Sequence, residues 1–171
     1  MIPISSANSG ELVWTKTRYS RRHELKLKSE LVGSLERTSW TRRFLAVSPY
    51  GNWIFRPTGF LRTGTEILDS TSNNRIATFK PHWTGIGTIV FADGQLFRLV
   101  PEGCWRQVWH VISESGETLL RLRTHEKTVE LPREMGLSES RLCLLTIFVW
   151  YYALQVAEAA DSAAVAVAMT S

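Results

Sequence analysis

The run Leu142-Cys-Leu-Leu-Thr-Ile-Phe-Val-Trp-Tyr-Tyr-Ala-Leu-Gln-Val-Ala157 carries no charge and is apolar on every side of a helix. Such a helix has no polar face to give to water, so it must be buried, in protein or in lipid. Sixteen residues at ~1.5 Å each span about 24 Å, short of the roughly 30 Å hydrocarbon core of a bilayer. Trp150, Tyr151 and Tyr152 fall near the middle of the run, where a membrane span places aliphatic residues. Gln155 is also easier to satisfy inside a protein. The expectation is therefore burial within the domain, with Leu142, Leu145, Phe148, Val149, Trp150 and Tyr152 as the core side chains of a helix over about 138–158. Ser138 or Ser140 is placed to cap it, and Glu139 sits where the helix dipole favours an anion.

Everything before that helix reads as strand. His23-Glu-Leu-Lys-Leu-Lys28 sets Leu25 and Leu27 against Glu24, Lys26 and Lys28. Trp53 pairs with Phe55, and Leu120 and Leu122 oppose Arg121 and Arg123. Alternation of this kind marks strands with one wet face. Turn residues punctuate the runs at Pro49-Tyr-Gly51, Pro57-Thr-Gly59, Ser72-Asn-Asn74, Pro101-Glu-Gly103 and Ser113-Glu-Ser-Gly116. Asp93-Gly94, between two apolar runs, predicts a hairpin with a type I′ turn. A weak repeat of about forty-four residues relates Gly59-Phe-Leu-Arg62 to Gly103-Cys-Trp-Arg106, and the strand before Trp40 to the strand before Trp83.

Counting the runs gives about twelve strands. A sheet that wide encloses a lumen that must be filled, because barrel diameter grows with strand number. The expected fold is mainly β: a closed antiparallel barrel of about twelve strands around a central hydrophobic C-terminal helix. Residues 1–10 read as a flexible N-terminus, 11–158 as the single domain, and 159–171 as a small-residue tail that prolongs the helix or frays. Residues 1–10 show no signal-peptide pattern.

The chemistry of known centres is missing from the pattern. His23, His82, His110 and His125 have no zinc-ligand spacing. Gly85-Ile-Gly87 lacks the third glycine of a dinucleotide fingerprint, and no P-loop or GxSxG occurs. No catalytic residue, metal or cofactor is expected, and the chain reads as non-enzymatic. His82 beside Trp83, and His110 beside Trp109, read as structural neighbours. Cys104 and Cys143 read as free, buried thiols of a reducing compartment.

Charge is uneven. Residues 1–60 hold ten Lys and Arg against four acids, whereas residues 61–171 hold ten against twelve. Arg18, Arg21, Arg22, Lys26, Lys28, Arg37, Arg42 and Arg43 are the candidate ligands for phosphate or anionic lipid if neighbouring strands bring them onto one rim. Trp40 is the candidate interfacial anchor. An ordinary solvated β-surface has the same composition. Nucleic acid is disfavoured, because the charge is modest and no basic-aromatic recognition motif stands out.

The order of a strand meander, Ala77-Thr-Phe-Lys-Pro-His-Trp83, Gly85-Ile-Gly-Thr-Ile-Val-Phe-Ala-Asp-Gly94, Leu96-Phe-Arg98, Cys104-Trp-Arg106 and finally Leu145-Thr-Ile-Phe-Val-Trp-Tyr-Tyr152 resembles the tubby-like C-terminal superfamily. That superfamily groups tubby, LURP-one-related proteins and phospholipid scramblases. The resemblance runs from about Glu11 to Ala157. It implies a twelve-stranded barrel around a hydrophobic helix, and a soluble domain that often works at membranes. Phosphoinositide binding by tubby members does not carry over to identifiable positions here, and no acidic run resembles a calcium loop. The functional expectation is a monomeric cytoplasmic binding module, peripheral at a membrane and taking anionic head groups or phosphates. Two alternatives stand beside it: a protein-interaction module, and a tail-anchored protein with residues 142–157 in the bilayer and Arg133 and Arg141 on the cytoplasmic side.

Overall fold

Strands whose inward residues are large and apolar cannot stay an open sheet around a helix that is apolar all round. Closing the sheet buries both surfaces and removes both edges. The computed structural model shows this arrangement. It describes residues 3–8, 10–17, 20–38, 42–59, 64–103, 107–132 and 136–170, with side chains through Ala164. Among these residues, twelve strands run in chain order: β1 (Leu12–Lys16), β2 (Arg22–Leu27), β3 (Glu30–Arg37), β4 (Phe44–Ser48), β5 (Gly51–Thr58) and β6 (Gly64–Asp69). They continue as β7 (Arg75–Pro81), β8 (Gly87–Phe91), β9 (Leu96–Glu102), β10 (Val108–Ser113), β11 (Thr118–Arg123) and β12 (Thr128–Glu130), followed by helix α1 (Glu139–Thr170). Each strand pairs antiparallel with its chain neighbours, and β12 closes on β1 through Leu12↔Val129 and Val13↔Thr128.

The lumen is filled by α1. Leu142, Leu145, Phe148, Val149 and Trp150 are buried and Tyr152 is half-buried. Rings from strands and helix interlock: Phe148 lies 5.3 Å from Phe55 and 5.1 Å from Phe79, Tyr152 lies 4.6 Å from Phe79, and Trp150 stacks on Trp14 at 5.2 Å. Such aromatic pairs add to simple area burial. Two buried hydroxyl groups are satisfied locally, whereas the Trp14 and Trp150 indole N–H groups find no partner among the described residues. Thr146 Oγ1 donates to the Leu142 carbonyl at 2.8 Å, and Thr65 Oγ1 meets the Tyr151 hydroxyl at 3.3 Å. Gly33 allows the close approach of α1, since a Cβ there would stand 3.0 Å from Ile147 Cδ1.

The forty-four-residue spacing has a structural counterpart. The ladders β2–β3, β6–β7 and β10–β11 each shift register, and the residues skipped are Val32, Ile76 and Leu119. Val32 and Leu119 are buried, and Ile76 packs against the core. A bulge turns an extra side chain toward the lumen and tightens local twist. Here it recurs once per four strands. The strand-end glycines Gly59 and Gly103 also correspond, with φ of 82° and 74°.

Four expectations need correction. Residues 1–10 are not wholly a loose leader: Ile4–Ser6 form a 3-10 turn, and Ile4 is fully buried. Glu139 holds that turn, accepting from the Ile4 amide at 2.8 Å, the Ser5 amide at 3.3 Å and the Ser5 hydroxyl. The helix is longer than the 138–158 span: of the two readings of the tail, prolongation is the one seen, and α1 continues to Thr170 because the alanines beyond 158 are strong helix formers. The hairpin at Asp93-Gly94 is not type I′: Gly94 takes φ 87° but Asp93 does not turn left-handed. Phe91 and Gln95 close a three-residue loop instead. Finally, Lys28 is not on the outer face of β2; with φ 50° it forms, with Ser29, the β2–β3 turn. Ser138 is the helix cap, its Oγ accepting from the Arg141 amide at 3.3 Å.

Candidate functional site: the rim where the helix leaves the barrel

Helix α1 enters the barrel past the 48–51, 69–75 and 92–95 turns and leaves it past the connections β1–β2, β3–β4 and β11–β12. The two rims differ in charge. Around the start of α1, exposed Asp93 and half-exposed Asp69 lie beside Arg141, which is paired to Asp93 at 2.7 Å, and exposed Glu114 and Glu117 stand on the β10–β11 turn at the same end. Around the exit, Lys127, Lys16, Arg21, Arg42 and Arg43 are exposed and Arg37 is half-exposed. These six follow one another along the adjacent strands β12, β1, β2, β3 and β4. Basic residues outnumber the acids Glu36 and Glu126 along this arc, and such an excess of one sign biases the field on that rim.

The arc is largely unneutralised. Among the described residues, Lys16, Arg21, Arg42, Arg43 and Lys127 have no carboxylate within ion-pair distance, while Arg37 pairs with Glu158 at 2.8 Å. The outer wall is the opposite case. Arg56 and Arg75 share Glu66, and Arg121 and His110 share Glu102, with Arg121 and Arg123 both reaching Glu130. Two of them are shifted: the hydrogen bond from Arg56 pulls the Glu66 carboxyl below its usual range, and that from His110 does the same for Glu102.

The sequence candidates divide accordingly. The structure brings Arg21, Arg37, Arg42 and Arg43 to one rim. It does not bring Lys26 or Lys28 there, and Arg22, at the exit end of β2, is drawn onto the outer wall toward Glu24. Arg22 and Lys26 flank Glu24 on the outer wall of β2, at 3.7 and 3.1 Å, and Lys28 pairs with Glu11 at 3.4 Å at the opposite rim. A strand of six residues carries its two ends to opposite rims, which is why the eight candidates could not form a single patch. Arg18 and Trp40 lie outside the described residues, as do Cys104 and Arg133. Cys143 is a free, buried thiol whose pKa is pushed up to about 12 by burial.

Sequence reasoning missed part of this rim. Lys16 and Lys127 were hidden in ordinary strand-end positions. Trp83, read with His82 as a structural neighbour, is 96% exposed on the β7–β8 connection. Glu158 and Asp161 were missed because the helix was expected to end near the first of them.

At the mouth of the lumen the arc lines a groove of about 510 Å³. Its strand side carries Lys16, Arg21, His23 and Arg37, and its helix side carries Glu158 and Asp161 above Leu154. His23 stands edge-on to Trp150 at 5.7 Å. Burial, and then the nearby Lys16 and Lys127 ammonium groups, push its pKa below the ordinary imidazole value. It is therefore neutral near pH 7 and adds no charge to the groove. Among the described residues no three His, Cys, Asp or Glu side chains converge as metal ligands would. The span Glu139–Ala164 is long and apolar enough to cross a membrane, but 61% of its most apolar window is buried inside the barrel. No family model, curated protein or solved structure matches the chain.

Proposed function

We propose that the protein is a non-enzymatic binding module that docks its helix-exit rim against anionic surfaces, in the manner expected of a tubby-like domain at a membrane. One observation carries this reading: the cations Lys127, Lys16, Arg21, Arg42 and Arg43, without an ion-pair partner among the described residues, lie on the same end of the barrel as the exposed Trp83. Basic residues near an anionic bilayer contribute about 1 kcal/mol each, and Trp favours the interface. Burial of residues 142–153 within the barrel favours surface docking over a span made by the same residues. The peripheral, cytoplasmic setting belongs to the same proposal.

Co-sedimentation with vesicles tests it. The triple variant Arg21→Gln, Arg42→Gln, Arg43→Gln removes about 3 kcal/mol of attraction, roughly a hundredfold in partitioning onto phosphatidylserine-containing vesicles. Raised salt has a similar effect on the wild type. Equal binding to neutral and anionic vesicles sinks the reading. A stoichiometric protein partner that is lost with the same three arginines would favour a protein-interaction module instead.

A further inference from the structure

The groove at the lumen mouth has its charges sorted by wall. Among the described residues, its cations come from the barrel, Lys16 on β1, Arg21 just before β2 and Arg37 on β3, and its carboxylates come from the exiting helix, Glu158 and Asp161. One pair already bridges the walls: Arg37 Nη1 reaches Glu158 Oε1 at 2.8 Å, with its guanidinium 5.8 Å from the Phe44 ring. What remains is two cations on one side and one carboxylate on the other. Lys16, Arg21 and Asp161 have no ion-pair partner among the described residues. At about 510 Å³ the groove is within the range of small-molecule sites.

The geometry points to a pocket for a small zwitterion of the phosphoethanolamine type, its phosphate against Lys16 and Arg21 and its ammonium against Asp161. A phosphate monoester carries about −1.5 to −2 near neutral pH, which matches the two free cations. An ammonium matches the single free carboxylate. An α-amino acid would leave one cation unmatched, and inorganic phosphate would face Asp161 with like charge. Leu154 and Phe44 line the same groove and suit the short methylene link between the two charges. This pocket is separate from docking of the rim on an anionic surface, since it needs the helix carboxylate that such a surface would repel.

Isothermal titration of the full chain with phosphoethanolamine, inorganic phosphate and ethanolamine tests it. Phosphoethanolamine is expected to bind at least tenfold more tightly than either fragment. D161N, at an exposed helix position, is expected to erase its advantage over phosphate, and R21Q to weaken phosphate and phosphoethanolamine alike. Vesicles containing phosphatidylethanolamine, whose phosphodiester carries a single negative charge and leaves one of the two cations unmatched, are expected not to bind through the pocket; vesicle binding that is lost in D161N would overturn the match to a monoester. Equal affinity for phosphate and phosphoethanolamine, no binding of either, or an unchanged preference in D161N overturns it. Phosphatidylserine vesicles run alongside report on the surface reading separately, because D161N keeps or strengthens that binding.

Discussion

Replacing Phe148 by alanine probes the packing that holds helix and barrel together. Phe148 is fully buried, and its ring lies 5.3, 5.1 and 5.4 Å from those of Phe55, Phe79 and Tyr151. Truncation removes the transfer free energy of the ring and leaves a cavity among three neighbours. Those neighbours cannot easily close in, because Phe55 also packs on Tyr151 at 5.1 Å and Phe79 on Tyr152 at 4.6 Å. The loss therefore falls toward the upper end of the range for such changes, about 4 kcal/mol. With a urea slope of about 2 kcal/mol/M, the unfolding midpoint drops by about 2 M. Urea titration followed by tryptophan fluorescence and by circular dichroism measures this, with coincident curves required. Leu31→Ala, on the half-exposed outer face of β3, is the control and is expected to change stability by no more than about 0.5 kcal/mol. A loss below about 1 kcal/mol for Phe148→Ala would refute a packed core around α1.

Gly87→Ala places a Cβ 2.1 Å from the Phe79 ring, and is expected to cost about 1–3 kcal/mol in thermal or urea unfolding, recovered in part by adding Phe79→Leu. Thr65→Val leaves the buried Tyr151 hydroxyl without its partner and is expected to cost about 1–3 kcal/mol; adding Tyr151→Phe should restore most of it in the same assay. In a Cys104→Ser background, Cys143 is expected to resist thiol reagents at pH 8 until the protein is unfolded, since its pKa of about 12 leaves almost no thiolate. Because the folded state resists protonating His23, the unfolded chain binds more protons as pH falls below about 6.5. Stability is present above that pH and lost as pH drops through the lowered folded value, and His23→Gln should flatten this slope in urea titrations between pH 7 and 5.

Architecture was readable because two periodicities in the chain answer each other. Leu25 and Leu27, Trp53 and Phe55, and Leu120 and Leu122 all point inward, and the all-apolar run from Leu142 is what they surround. The repeat was visible only as matched glycines and tryptophans, since a bulge at Val32, Ile76 and Leu119 leaves no residue signature of its own. The rim was half readable. Basic residues were evident from composition, but which of them share an end depends on strand direction, and this separated Lys28 from Arg21 by the full height of β2. The helix carboxylates of the groove were unreadable for a different reason. Alanine-rich sequence continues a helix or frays with equal ease in isolation, and the continuation places Glu158 beside Arg37.

Hydrogen exchange read by mass spectrometry on the full chain, without detergent and then with anionic vesicles, tests most directly that α1 is the core of the barrel. Residues 142–153 should be among the slowest to exchange in buffer alone, opening only with global unfolding, while residues 158–164 exchange quickly. Vesicles should leave the buried stretch unchanged and slow exchange at the exit rim. Rapid exchange of 142–153 in buffer, with protection appearing only when lipid is added, would contradict the plugged barrel and mark the helix as a membrane span.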